Sequence, residues 1–261
     1  MHFGNILLWL ALFVTVGSIA AYVMTAAGRK GCSRFSRLAY YVSAVVIIGA
    51  SAYFMALILQ NNFELDYIAA YSSKTLPFFY QISVFWAGHQ GSFLFWLLCT
   101  TVIGLIVMRK AREFEPWLMV FWNGVQSFFI ILLLIDSPFK PISDEFRYRL
   151  TGGLGGIPKD GAGLSELLQN PWMVIHPPVT FLGYAAMFIP AAFAFAALIR
   201  GDFKTWCRTM LPWAIFGWVT LGAGIILGGL WAYEVLGWGG YWGWDPVENA
   251  ALLPWLTATA F

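Results

Sequence analysis

Apolar residues along this chain run in blocks too long for a helix face or a half-buried strand. Six windows stay apolar for the roughly 20 residues that a helix needs to cross about 30 Å of hydrocarbon. They lie near Ile6–Ala27, Leu38–Leu59, Ser92–Met108, Trp117–Ile135, Val174–Ile199 and Pro212–Leu230, and a seventh begins near Ala251 and stops at Phe261. The pattern predicts an all-α, polytopic membrane helical bundle of about six spans plus the start of a seventh, and residues 1–261 read as a single membrane domain. The stretch from Pro77 to Met108 is too long for one crossing, since a helix of that length reaches about 48 Å. Pro77–Trp86 therefore reads as an interfacial aromatic segment, broken at Gly88 and Gly91 before the span proper. The first apolar run has no Lys or Arg ahead of it and exceeds a signal-peptide core, so it reads as a retained span.

Composition agrees: 60% of residues are hydrophobic and 11% charged, where a soluble domain carries about a quarter charged. Charge placement adds an orientation. The first connection holds Arg29, Lys30, Arg34 and Arg37, the third Arg109, Lys110 and Arg112, and the fifth Arg200, Lys204 and Arg208. Short basic loops stay cytoplasmic, so the N-terminus and the second, fourth and sixth connections should lie outside. The net charge of +2 gives no reason to expect nucleic acid. Cys32 and Cys207 fall in loops on the inner side and Cys99 within a span; without a CxxC, thiol–disulfide chemistry is not expected.

Candidate chemistry sits in the outer connections. The second, Gln60 to Gly91, is dense in aromatics and ends in Trp86-Ala-Gly-His-Gln-Gly-Ser92; an interfacial aromatic belt accounts for most of it, while His89 between glycines needs a polar partner or a ligand. The fourth, residues 136–171, carries a glycine tract at 152–156 and a short amphipathic run, Leu164–Leu168, suited to the membrane surface. It leads into Ile175-His-Pro-Pro178. Pro177 and Pro178 read as first-turn prolines marking a helix start, and His176 as an ionisable ring at membrane depth, which is a functional candidate.

The sixth connection, residues 231–250, is the most distinctive. Trp231, Tyr233, Trp238, Tyr241, Trp242 and Trp244 alternate with Gly237, Gly239, Gly240 and Gly243. A belt needs aromatics but no glycine beside nearly every one. Glycine permits close backbone approach and tryptophan gives flat apolar area with one N–H, which together suit a large planar apolar ligand. Asp245-Pro246 reads as a capped helix start with Glu248 in its first turn.

Gly237-Trp-Gly-Gly-Tyr-Trp-Gly-Trp-Asp-Pro-Val-Glu-Asn-Ala250 resembles the tryptophan-rich WWD signature of membrane haem-handling proteins that assemble c-type cytochromes. Its Asp-Pro-Val-Glu-Asn ending is similar to the CcmF-type haem lyase branch, as are Trp86–Ser92 and Ile175–Pro178. The resemblance covers the whole chain and about the first two-fifths of a typical member. It implies a bacterial inner-membrane haem lyase component in which a WWD loop on the periplasmic side holds haem b. His176 is then an axial iron ligand, with Trp231, Trp238, Gly239, Gly240, Tyr241, Trp242, Trp244 and Asp245 lining the cofactor. The implied partners are a holo haem chaperone, apocytochrome c and other cytochrome c maturation membrane subunits. The C-terminal part of the lyase, which would carry the second periplasmic histidine and the ligands of a buried haem, is also implied. Lys140, Arg147, Arg149 and Lys159 are the cations available to haem propionates. A transmembrane transporter of haem or another apolar cargo is the alternative reading; no internal repeat of the kind transporters show is evident.

Overall fold

The structure is a computed structural model and describes residues 2–29, 32–154, 156–237 and 240–261. Helices account for nearly all of its regular structure: α1 Phe3–Ala26, α2 Cys32–Leu59, α3 Asp66–Tyr71, α4 Phe78–Ala87, α5 His89–Lys110, α6 Glu115–Ile135, α7 Asp144–Thr151, α8 Pro171–Arg200, α9 Trp206–Val235 and α10 Pro246–Ala260. Among the described residues there is no strand, only an isolated bridge between Leu65 and Pro141. Six helices, α1, α2, α5, α6 (with the 3-10 turn before it), α8 and α9, are long and apolar enough to cross a membrane. All six expected spans are present, each longer than its apolar window because polar terminal turns extend the helix beyond the hydrocarbon stretch.

Two corrections apply at helix ends. The break after the aromatic segment falls at Gly88 alone; Gly91 lies inside α5. Its role is close packing, since a Cβ there would run into the Phe85 carbonyl and the Tyr67 hydroxyl. The second concerns α8. It starts at Pro171, capped by the Asn170 side chain, which accepts from Trp172 N at 2.8 Å. Pro171 is therefore the first-turn proline, and Pro177 and Pro178 are interior prolines.

Side chains on the outer faces, among them Phe13, Val45, Ile135 and Ile226, are largely exposed, as lipid-facing positions are in a bundle described without its bilayer. Inside, two packed clusters stack along the bundle. One gathers Leu8, Phe54, Tyr67, Phe85, Phe129 and Phe139; the other gathers Tyr22, Tyr40, Phe114, Trp122 and Phe193. Trp96 and Phe188 touch both clusters and stack on each other with centroids 5.8 Å apart.

Polar ties between connections define two ends. Arg37 forks onto Glu115 (2.8 and 2.5 Å), and Tyr22 donates to the same carboxylate at 3.3 Å. Arg200 reaches Glu113 through its carbonyl and its carboxylate (2.8 and 3.0 Å). The three basic connections therefore meet at one end. At the opposite end the 60s, 70s and 160s segments join: Asp66 N donates to Lys140 O (3.0 Å), Ala162 N to Ala69 O (2.7 Å) and Lys74 N to the Asp160 side chain (2.9 Å). Trp231 Nε1 donates to Leu167 O there (3.3 Å), adding the sixth connection. The run at 164–168 is pinned by this contact: Leu164 is buried and Leu167 half exposed, with a 3-10 turn at Glu166–Leu168.

Candidate functional site

Helices α8 and α9 lie antiparallel and unusually close. Facing pairs descend one helix as they climb the other: Asn170 with Glu234 (3.2 Å), His176 with Gly228, Thr180 with Gly224, and Gly183 with Leu221. At each glycine a Cβ would collide with its partner. It would lie 2.6 Å from His176 Cε1 at Gly228, 2.5 Å from Thr180 Oγ1 at Gly224, and 2.6 Å from Leu221 Cα at Gly183. Small residues at this spacing let membrane helices approach closely. Here the gap created at Gly228 is filled by an imidazole.

That imidazole is fixed by the backbone. His176 Nδ1 stands 2.9 Å from the Gly224 carbonyl oxygen, which can only accept, so Nδ1 carries the proton. Thr180 Oγ1 lies 3.2 Å from Nδ1 and donates to the His176 carbonyl at 3.1 Å. Nε2 is then the unprotonated nitrogen, the one free to bind a metal.

A cavity of about 110 Å³ opens beside the ring. His176, Thr180 and Tyr184 of α8 line it, with Trp231 of α9, Trp242 of the glycine-tryptophan loop and Glu248 of α10. The Trp242 indole N–H is buried with no hydrogen-bond partner among the described residues, a donor with spare capacity at the wall. Beyond the cavity the loop braces itself. Tyr233 and Tyr241 stack face to face (centroids 4.4 Å, 6° between planes), and Trp242 meets Trp244 edge-on at 5.8 Å. Trp244 is largely exposed and takes a left-handed backbone conformation, φ 57°. Asp245 lines the cavity while capping α10: it accepts from Glu248 N at 2.7 Å, and Glu248 accepts in return from Asp245 N (3.3 Å) and from Gly243 N (2.8 Å). The expected helix start is thus present, with the reciprocal pairing of a capping box.

The structure brings together His176, Trp231, Trp242 and Asp245 at the cavity; Tyr241 and Trp244 belong to the same loop, with Tyr241 packed near Gly229. Gly240 is described in the loop, whereas Trp238 and Gly239 fall outside the described residues. None of the four candidate cations for propionates lines the cavity. Arg147 pairs with Asp144 at 3.4 Å and Arg149 lies over the Phe146 ring at 5.4 Å. His89 is exposed at the first position of α5, and its neighbour Gln90 donates to Asp136 at 2.8 Å. Sequence reasoning passed over Thr180, Tyr184, Gly224 and Gly228. Their signal was present: the first two repeat every four residues from His176, and the glycines are four apart on the next helix.

Residues 86–261 match the family described as cytochrome c assembly protein. The chain belongs to that family. The cytochrome c-type biogenesis protein CcmF of Escherichia coli (strain K12) is 34% identical over 265 residues, covering 98% of this chain and 39% of its own length. The cytochrome c-type biogenesis protein NrfE of Haemophilus influenzae (strain ATCC 51907 / DSM 11121 / KW20 / Rd) is 33% identical over 227 residues, 85% of this chain and 33% of that protein. Among solved structures, a cytochrome c haem lyase CcmF superposes with a TM-score of 0.78 at 27% identity, covering 98% of this chain and 40% of that one. The chain thus spans about a third to two-fifths of the length of the cytochrome c assembly relatives it matches, and it shares the fold of the solved one.

Proposed function

We propose that this chain is the haem-holding part of a cytochrome c haem lyase in the bacterial inner membrane, with the glycine-tryptophan loop on the periplasmic side. The observation that carries the reading is the shared cavity: a histidine with Nδ1 committed to Gly224 and Nε2 open stands against Trp231 and Trp242. This donor set suits haem b. Neutral imidazole is a standard axial ligand for haem iron, and the unpartnered Trp242 N–H offers one polar contact in an apolar wall. At about 110 Å³ the cavity is below the roughly 300 Å³ at which small-molecule pockets begin, so it encloses part of a macrocycle.

When bound, haem supplies the vinyl groups that take up the two cysteine thiols of apocytochrome c. The chain's own residues bind and orient. Gly224 and Thr180 hold the imidazole in one tautomer and one rotation, the tryptophans exclude water from one face, and the capping box anchors the loop to α10. In this reading a holo haem chaperone delivers the cofactor, and other maturation membrane subunits and the C-terminal remainder of the lyase complete the site. The family's name and the haem lyase likeness support it. No observation favours the transporter alternative. The test is His176→Ala in the full-length protein, with haem quantified by pyridine haemochrome after detergent purification. Total haem is expected to fall by the share that the loop holds, leaving only the buried haem that the resemblance implies; undiminished haem and unchanged spectra would overturn the assignment.

A further inference from the structure

We infer that Trp86 is a positioning residue for His176, acting through a helix carbonyl that Pro177 leaves unpaired. Pro177 lies inside α8 and has no N–H, so it cannot donate to the carbonyl four residues back, which is that of Met173. A buried carbonyl without a donor is costly. The Trp86 indole fills the vacancy: Nε1 donates to Met173 O at 2.9 Å, and both residues are buried. His176 follows Met173 by less than one turn and immediately precedes the proline. The bond therefore ties the turn bearing the imidazole to the joint between α4 and α5.

The joint is itself stiff. The Tyr67 hydroxyl donates to Val84 O (2.9 Å) and accepts from Gly88 N (2.8 Å), so one phenol fixes both sides of the break. A Cβ at Gly88 would lie 2.6 Å from Tyr71, so the break fits only glycine. Ser92 Oγ closes back onto Trp86 O at 2.9 Å. The segment Trp86–Ser92, which the cavity does not use, and Ile175–Pro178, which it does, thus form one device. The first supplies the donor that the second lacks. The inference deepens the haem-holding reading and rests on it only for what His176 binds.

The test is a mutant cycle in the full-length, haem-free protein in detergent, combining Trp86→Phe, which keeps the ring and removes the N–H, with Pro177→Ala, which restores a backbone donor to Met173 O. The rate at which diethyl pyrocarbonate modifies His176 is read by peptide mass spectrometry. Trp86→Phe should change that rate about fivefold, the size of one net hydrogen bond. Pro177→Ala should leave it within about twofold, and the double variant should return it to the parental value. An unchanged rate in Trp86→Phe overturns the proposal. So does a changed rate that Pro177→Ala fails to restore, because the freed carbonyl is then not the link. Should Trp86→Phe not accumulate, Pro177→Ala must restore accumulation, and failure to do so has the same consequence. After reconstitution, haem content should follow the same cycle. If the modification cycle holds while His176→Ala leaves haem untouched, the haem reading falls and the positioning role stands.

Discussion

A single imidazole between two helices explains why several unlike residues had to be where they are. Gly228 is the sharpest case. Alanine favours a helix interior over glycine by about 1 kcal/mol, but a methyl here would sit 2.6 Å from His176 Cε1, and such overpacking costs about 1–3 kcal/mol. The net cost is about 0–2 kcal/mol, while the ring must move. Gly228→Ala is therefore expected to keep its thermal midpoint within a few degrees and to lose most of its haem, measured on the same preparation. Asp245 separates two roles in a different way. As an N-cap its side chain is replaceable by asparagine, whereas alanine costs about 1 kcal/mol. Asp245→Asn should retain haem and stability, and Asp245→Ala should lower the unfolding midpoint. Haem loss in the asparagine variant would instead mark the carboxylate as a cofactor contact. From sequence, His176 and the tryptophans stood out through residue type alone, because their chemistry is unusual at membrane depth. Thr180 and Gly224 did not, since a threonine and a glycine within an apolar run carry meaning only once the helix pairing is known.

Elements were legible where hydrophobicity decides them and obscure where a single hydrogen bond does. All six spans follow from apolar length, and α10 begins where Asp245-Pro246 said it would. The start of α8 was misplaced because three prolines lie within eight residues and each fits a first turn; only the Asn170 cap distinguishes them. The α4–α5 break was placed at two glycines, one of which serves packing. Tyr67 governs this joint. Its phenol is buried, bonded on both sides of the break, and pushed by burial above its ordinary pKa. Tyr67→Phe leaves the Gly88 N–H and the carbonyls it served without their partner, at about 1–3 kcal/mol. A lower thermal midpoint with unchanged helix content by circular dichroism is the expected result; an unchanged midpoint would show that the break is held by packing alone.

At the scale of the molecule the charge pattern and the contacts agree. The three basic connections meet through Arg37–Glu115 and Arg200–Glu113, and the aromatic and glycine-rich connections meet at the other end. In the proposed orientation the first end, with its basic clustering, faces the cytoplasm. Cys207, exposed in the first turn of α9 at that end, should resist a membrane-impermeant maleimide in intact spheroplasts and react after permeabilisation; labelling without permeabilisation would reverse the orientation. Neither the joining of the loops nor the seam between α8 and α9 could be read from hydropathy, which counts apolar length and is blind to which helices touch.

The α8–α9 hairpin also bears on how the protein is made. His176, the glycine that orients it, the tryptophan loop and the capped start of α10 all lie between residues 170 and 251, so the ligand-bearing unit emerges from the ribosome as one helical hairpin and its tail. Chains fold from the N-terminus as they are synthesised, and this unit closes on itself through pairings within the hairpin, such as His176 with Gly224 and Asn170 with Glu234. Upstream residues reach it at several points: Trp86 through Met173 O, Trp96 through the rings of Tyr184 and Phe188, and Glu113 through Arg200. A gene interrupted anywhere before residue 170 would still encode every residue that lines the cavity, and the cost of the interruption would fall on the contacts that Trp86 and Trp96 have to re-form across the break.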